Sequence, residues 1–261
     1  MKQASHTHPY ICAKFYFLGN KIKVGAVSYL NTKPLLHGLQ NSPIFNSIEL
    51  SVNYPSMLAR QLRENELDMA LMPVAAMKEI EGARIVSNYG IATDGNVVSV
   101  ALFSRVPIEE IKSIFLDYQS RTSVKLAQVL MQNYWKKDVE WLQANEHYID
   151  YITGNKAGVI IGDRALVQLN NFEYVYDLSA AWKAFTGLDF VFAAWIANKD
   201  IDPTFLARFD QANAAGLTHL DEVIAQNPFP YYDLKTYYTE NIVFELDARK
   251  KAGLEKFLEY L

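Results

Sequence analysis

The chain has 261 residues, half of them hydrophobic and 21% charged, long enough for one large domain or two lobes with separate cores. Its 25 basic and 29 acidic residues give a formal charge of -4 with no Lys/Arg-rich run, which argues against nucleic acid as a partner. A lone Cys12 excludes an internal disulfide and fits a reducing compartment, and no apolar run approaches the roughly 20 residues that span a bilayer.

Residues 1–20 precede the first convincing strand. Lys14 interrupts their only apolar stretch, so they read as an extension ending in a short edge strand at Ala13–Leu18. Without an unbroken apolar core and a small-residue cleavage point they do not read as a secretory signal, and a cytoplasmic protein is expected. Strand and helix then alternate: Lys23–Val27 as strand, Pro34–Leu39 as helix, Ile48–Val52 as strand, and Pro55–Arg63 as helix. Asp68–Met72 is a third strand, stopped by Pro73 ahead of a turn at Val74–Ile80, and Ile85–Ser87 is a short further one. Such βαβ units predict a mainly parallel sheet.

Asn96–Phe103 is nearly all apolar and β-branched, as a buried strand requires. A second set follows: Ile114–Leu116 as strand, Thr122–Trp135 as helix, Val139–Leu142 and Ala157–Ile161 as strands, and a helix near Arg164–Leu169. Leu188–Ala197 is again a long apolar strand, Pro203–Ala225 and Asp247–Tyr260 are helical, and an aromatic loop sequence lies between them. The two long strands bracket a segment of about a domain's minimum size. That predicts an α/β clamshell of two lobes whose chain crosses twice. The expected division is an extension at 1–20, a discontinuous first lobe at 21–103 and 194–261, and a second lobe at 104–193.

Three strand-to-helix junctions carry polar residues that suit a small-molecule site. At the first, Ser28 and Asn31 follow a strand directly. They either bond a ligand or cap the helix at Pro34, and the pattern does not separate the two. At the second, Ser120, Thr122 and Ser123 surround a helix N-terminus, where free N–H groups attract anions, and Arg121 can add charge; simple capping is the competing reading. At the third, Gly162 permits close backbone approach, and Asp163 either caps a helix or accepts a proton. Asn96, beside Gly95, is a weaker contact candidate.

His37, His147 and His219 show no metal-ligand spacing, and one cysteine cannot build a thiolate zinc site. No Gly-x-Ser-x-Gly elbow or dinucleotide loop is present, so neither metal nor organic cofactor is expected.

The run Val27-Ser28-Tyr29-Leu30-Asn31-Thr32-Lys33-Pro34-Leu35, supported by the segments at 97–107 and 117–126, resembles the chorismate dehydratase family of the futalosine route to menaquinone. The likeness extends from about Lys23 to the C-terminus. It implies a periplasmic-binding-protein-like type II clamshell with mixed sheets flanked by helices and a ligand cleft between the lobes. It also implies loss of water from chorismate, a dicarboxylate, to give 3-[(1-carboxyvinyl)oxy]benzoate without a cofactor.

On that reading Asn31 orients the departing hydroxyl or stabilises ring charge, while Ser28 and the 120–123 turn hold carboxylates. Asp163 or a substrate carboxylate takes the proton, Gly162 walls the cleft, and no membrane or nucleic acid is involved. A monomer or homodimer is expected. Two alternatives stay open: a cytoplasmic carboxylate-binding sensor on the same fold, and the sister enzyme that forms dihydroxynaphthoate.

Overall fold

Apolar strands separated by amphipathic helices assemble into two α/β lobes, each built on its own mixed sheet. The computed structural model describes residues 21–261; the strand expected at Ala13–Leu18 lies outside them. The first lobe begins with β1 (Ile22–Ala26), α1 (Lys33–Gln40), β2 (Ile48–Val52), α2 (Pro55–Arg63), β3 (Met69–Pro73) and β4 (Arg84–Thr93). The second holds β5 (Val100–Ser104), β6 (Ser113–Leu116), α3 (Thr122–Asn133), β7 (Glu140–Gln143), β8 (Lys156–Ile161), α4 (Asp163–Gln168), β9 (Tyr174–Asp177) and α5 (Leu178–Thr186). The chain then returns to the first lobe with β10 (Phe190–Ala197), α6 (Pro203–Leu217), α7 (Leu220–Gln226), α8 (Leu234–Thr236), β11 (Val243–Glu245) and α9 (Ala248–Glu259).

The six-stranded sheet runs β11-β4-β10-β3-β1-β2 and the five-stranded sheet β7-β6-β8-β5-β9. β1 is parallel to β2 and β3, whereas β10 lies antiparallel between β3 and β4. In the second lobe β6 is parallel to β7 and β8, and β5 is antiparallel to β8 and β9. A strand with neighbours on both edges and helices over its faces has no exposed side, which is why all eight residues of β10 are apolar and buried. Trp195 of β10 meets Phe209 of α6 edge-on at 4.8 Å.

Trp182 of α5 reaches across to Phe190 and to Phe257 of α9, at 5.5 and 6.0 Å, and so packs the lobes together. Among the described residues no helix is long and apolar enough to cross a membrane.

Several elements differ from the sequence reading. β5 pairs only within the five-stranded sheet and β10 only within the six-stranded one, so boundaries at 103/104 and 193/194 each cut a strand. The crossings fall instead in 94–99 and 187–189. Ile85–Ser87 grows into the ten-residue β4, whose polar Ser87 and Asn88 are satisfied by Asp210 of α6 at 2.5 and 2.9 Å. β9 and α5 went unread, as did α8 and β11 in the aromatic stretch, and the helix expected over Pro203–Ala225 breaks at Thr218–His219.

α1 and α6 cross so closely that a Cβ on Gly38 would stand 2.0 Å from the Ala212 carbonyl oxygen and 2.7 Å from the Gly216 nitrogen. Gly38→Ala must therefore separate two backbones, and urea unfolding should show a loss of about 2 kcal/mol. Gly95→Ala, with nothing within 4 Å of the added carbon, should cost less than about 0.5 kcal/mol.

Candidate active site

A cavity lies between the lobes, walled by residues from both sheets. The carboxyl end of β1 supplies Val27, Tyr29 and Asn31, β3 ends in it at Pro73, and β10 contributes Phe192 and Ala193. The second lobe answers with Gln119, Ser120, Thr122 and Ser123 at the start of α3, and with Ile161 and Gly162 at the end of β8. Val97 and Ser99, from the first crossing, close one side. Among the described residues no acidic or basic side chain lines it.

Asn31 occupies a single 3-10 turn, Leu30–Thr32. Thr32, fully buried, fixes that turn by donating its hydroxyl toward the carbonyls of Val27 and Tyr29, at 2.9 and 2.7 Å. The Asn31 amide lies beside the Tyr237 hydroxyl, which itself donates to Ser99 Oγ at 2.8 Å. Asn31 Oδ1 is buried and has no partner among the described residues. A buried polar atom without a hydrogen bond is costly, so an acceptor left free beside a cavity marks a place for a donor on a ligand.

Opposite it, α3 presents its N-terminus. The first amides of a helix have no acceptor within it. Ser120 Oγ takes the Ser123 N–H at 3.1 Å, while the N–H groups of Thr122 and Val124 have no acceptor among the described residues. Small hydroxyl side chains let these amides face the cavity, where the helix dipole favours an anion.

Other residues hold the lobes shut. Tyr29 donates to Gln119 Oε1 at 2.9 Å, Asp163 Oδ1 accepts the Leu30 N–H at 3.0 Å, and Thr122 Oγ1 accepts the Ala75 N–H at 3.1 Å. Arg121 pairs with Glu79 at the rim. Gly162 sits at φ 61° and ψ -145°, and a Cβ there would come within 3.0 Å of the Tyr29 ring. Only glycine tolerates both the backbone angle and the ring. Burial raises the Tyr29 hydroxyl's pKa, with a further push from Asp117, so it stays a protonated donor.

Four of the sequence candidates therefore act differently from expectation. Ser28 is exposed and faces an outer groove with Val52, Asn53 and Tyr54, because the 3-10 turn sends its neighbours inward instead. Asn96 is exposed, and its carbonyl accepts a bond from Asn241 at 3.3 Å. Arg121 is spent on Glu79 and does not line the cavity. Asp163 is engaged by the Leu30 amide and is also absent from the lining. Asn31, Ser120, Thr122, Ser123 and Gly162 do meet around one space.

Tyr29, Ser99 and Gln119 were not singled out from sequence, nor was the support beneath Gln119. There Arg164 Nη2 donates to Asp117 at 2.7 and 3.0 Å and approaches Gln119 Oε1 at 3.2 Å. Tyr148 donates to the same fully enclosed Asp117 at 2.8 Å. The signal was present, since Asp117 and Arg164 each stand beside a chosen motif, but charge at a strand end reads equally well as solvated.

Burial raises the Asp163 carboxyl above its ordinary 3.8, against the lowering effect of the Leu30 amide. The folded protein thus holds this proton more tightly than the unfolded chain does. That contribution favours folding below 3.8 and is lost as pH rises through the raised value. Asp163→Asn keeps an oxygen for Leu30 and removes the titration. The stability of the parent relative to this variant should fall as pH climbs from 3.8 and then level off, as urea unfolding at a series of pH values would record.

Comparison with known proteins agrees with this fold. The fold resembles a structure from Archaeoglobus fulgidus with a TM-score of 0.74 and 15% identity, covering 92% of this chain and 96% of that one. A Candida albicans protein described as having the generic periplasmic binding protein fold matches with a TM-score of 0.60 and 16% identity, covering 92% and 89%. Among curated proteins, the chorismate dehydratase of Thermus thermophilus is 24% identical over 91% of this chain and 94% of its own length. That of Campylobacter jejuni is 27% identical over 90% and 95%. The two-lobe architecture is thus the periplasmic-binding-protein-like fold. Residues 22–261 match the family described as menaquinone biosynthesis, and the chain belongs to that family.

Proposed function

We propose that the protein is a chorismate dehydratase, a hydro-lyase that removes water from chorismate to give 3-[(1-carboxyvinyl)oxy]benzoate. The observation that carries this reading is the unpartnered Asn31 Oδ1 facing a cavity whose far wall is a helix N-terminus. The ring hydroxyl of chorismate is a donor that fits that oxygen, and a carboxylate fits the free amides of Thr122 and Val124. The likeness to two curated dehydratases supports the same substrate.

In the reaction a ring C–H gives up its proton, the ring C–O bond breaks, and the hydroxyl leaves with a proton as water. The ring becomes aromatic, so the product side is strongly favoured. What the protein must supply is orientation, exclusion of water and stabilisation of developing charge. Asn31 Oδ1 is a fixed acceptor and the α3 amides are fixed donors in an enclosed, largely apolar space, where they need no reorganisation. The proton acceptor is a carboxylate of the substrate itself: among the described residues no acidic or basic side chain lines the cavity, the Tyr29 hydroxyl stays protonated, and Asp163 is committed to Leu30. Asp163 then serves closure, and Ser28 takes no part in binding.

Incubation of the purified protein with chorismate should yield an aromatic ultraviolet spectrum. Tight binding of chorismate without product would instead make it a binding protein. Asn31→Ala should lower kcat by about 100-fold or more while chorismate still binds. Asp163→Asn should keep turnover within about tenfold of the parent, since a missing general base costs 100-fold or more. Ser123→Ala should raise KM, and Ser28→Ala should leave it unchanged.

A further inference from the structure

His37 is far in the chain from His219 and Glu222, and the three give no metal signature by spacing, but the fold brings them together on the outer face of the first lobe. We propose that they form a site for one divalent transition-metal ion, zinc being the best match. His37 stands on α1 and is 9% exposed; His219 and Glu222, three residues apart at the start of α7, share one face of that helix. Their ligand atoms all fall within 4.8 Å of one another. Glu222 Oε1 is 3.0 Å from His219 Nδ1 and its Oε2 is 3.7 Å from His37 Nε2.

Bonds of about 2.0–2.2 Å in a tetrahedral site set ligand atoms roughly 3.4 Å apart, so side-chain rotations alone bring the three into place. Two imidazole nitrogens and one carboxylate oxygen form a donor set that suits zinc and leaves a fourth position for water. Magnesium and calcium, which prefer oxygen ligands throughout, are poorly matched. Asp221 is already engaged by Lys235 at 2.7 Å and is not a fourth ligand. The close crossing of α1 over Gly216 holds His37 against the start of α7 before any ion arrives. Binding would fasten α1, which begins at the Asn31 turn, to the helices behind it, and would stabilise the folded chain by mass action.

The test is calorimetric titration of the full chain with zinc chloride, in a background carrying His6→Ala and His8→Ala so that the N-terminal histidines do not compete. One equivalent should bind with saturation, and the melting temperature should rise with zinc concentration. His219→Ala and Glu222→Gln should each weaken binding at least about tenfold and abolish the thermal shift, with chorismate turnover unchanged in zinc-free buffer. Absence of saturable binding in the parent overturns the proposal, as does equal binding by the parent and both variants. In that event Glu222 simply pairs with the two imidazoles.

Discussion

The main chain of one residue ties the molecule together. The Leu30 N–H goes to Asp163 of the second lobe and its carbonyl accepts from Tyr238 of the first at 3.0 Å. Leu30 is almost fully buried, and a buried peptide left unpaired loses about 1–3 kcal/mol per group, so the turn that carries it must sit between these two partners. Everything facing the cavity follows from that anchor. On one side of Leu30 the Tyr29 ring is directed over Gly162 to Gln119; on the other, Asn31 is directed to Tyr237 and the open space.

The electrostatics are arranged at one remove. Full charges stay behind the cavity wall: Asp117 is enclosed by Arg164 and Tyr148, and the half-buried Asp177 is held by the amides of Val98, Ser179 and Ala180. Burial pushes the Asp177 carboxyl up, and those amides pull it back. What faces a ligand is neutral: amides, hydroxyls and a helix terminus. Such groups orient an anion without presenting a countercharge that would clamp substrate and transition state equally. The first crossing is also strained. Val98, a β-branched residue, sits at φ 55°, and its neighbours Val97 and Ser99 both line the cavity.

How legible all this was in the chain depended on whether a residue's environment is set locally. β10 could be read because a central strand is apolar throughout. β9 could not: it is an edge strand with every residue half-buried, so neither alternation nor a continuous apolar run marks it. The Ser120–Ser123 cluster was readable because small hydroxyls before an apolar helix have few other uses. Ser28 and Asn31 looked equivalent, yet a single 3-10 turn, invisible to spacing arguments, sends one outward and the other in. Gln119 and Tyr29 needed the second lobe in place before they meant anything. Their bond joins positions ninety residues apart.

The two crossings have a mechanical consequence. A body joined to another at a single flexible point can swing, twist and slide; joined at two, it keeps one easy freedom. Here the lobes are connected at 94–99 and again at 187–189, and the second connection is gripped by Lys183 and Lys250 on Asp189. The line through those two strips acts as the pin of a door. Admission of any guest must then occur by rotation about that pin, with the Tyr29–Gln119, Leu30–Asp163 and Ala75–Thr122 bonds giving way as the door opens.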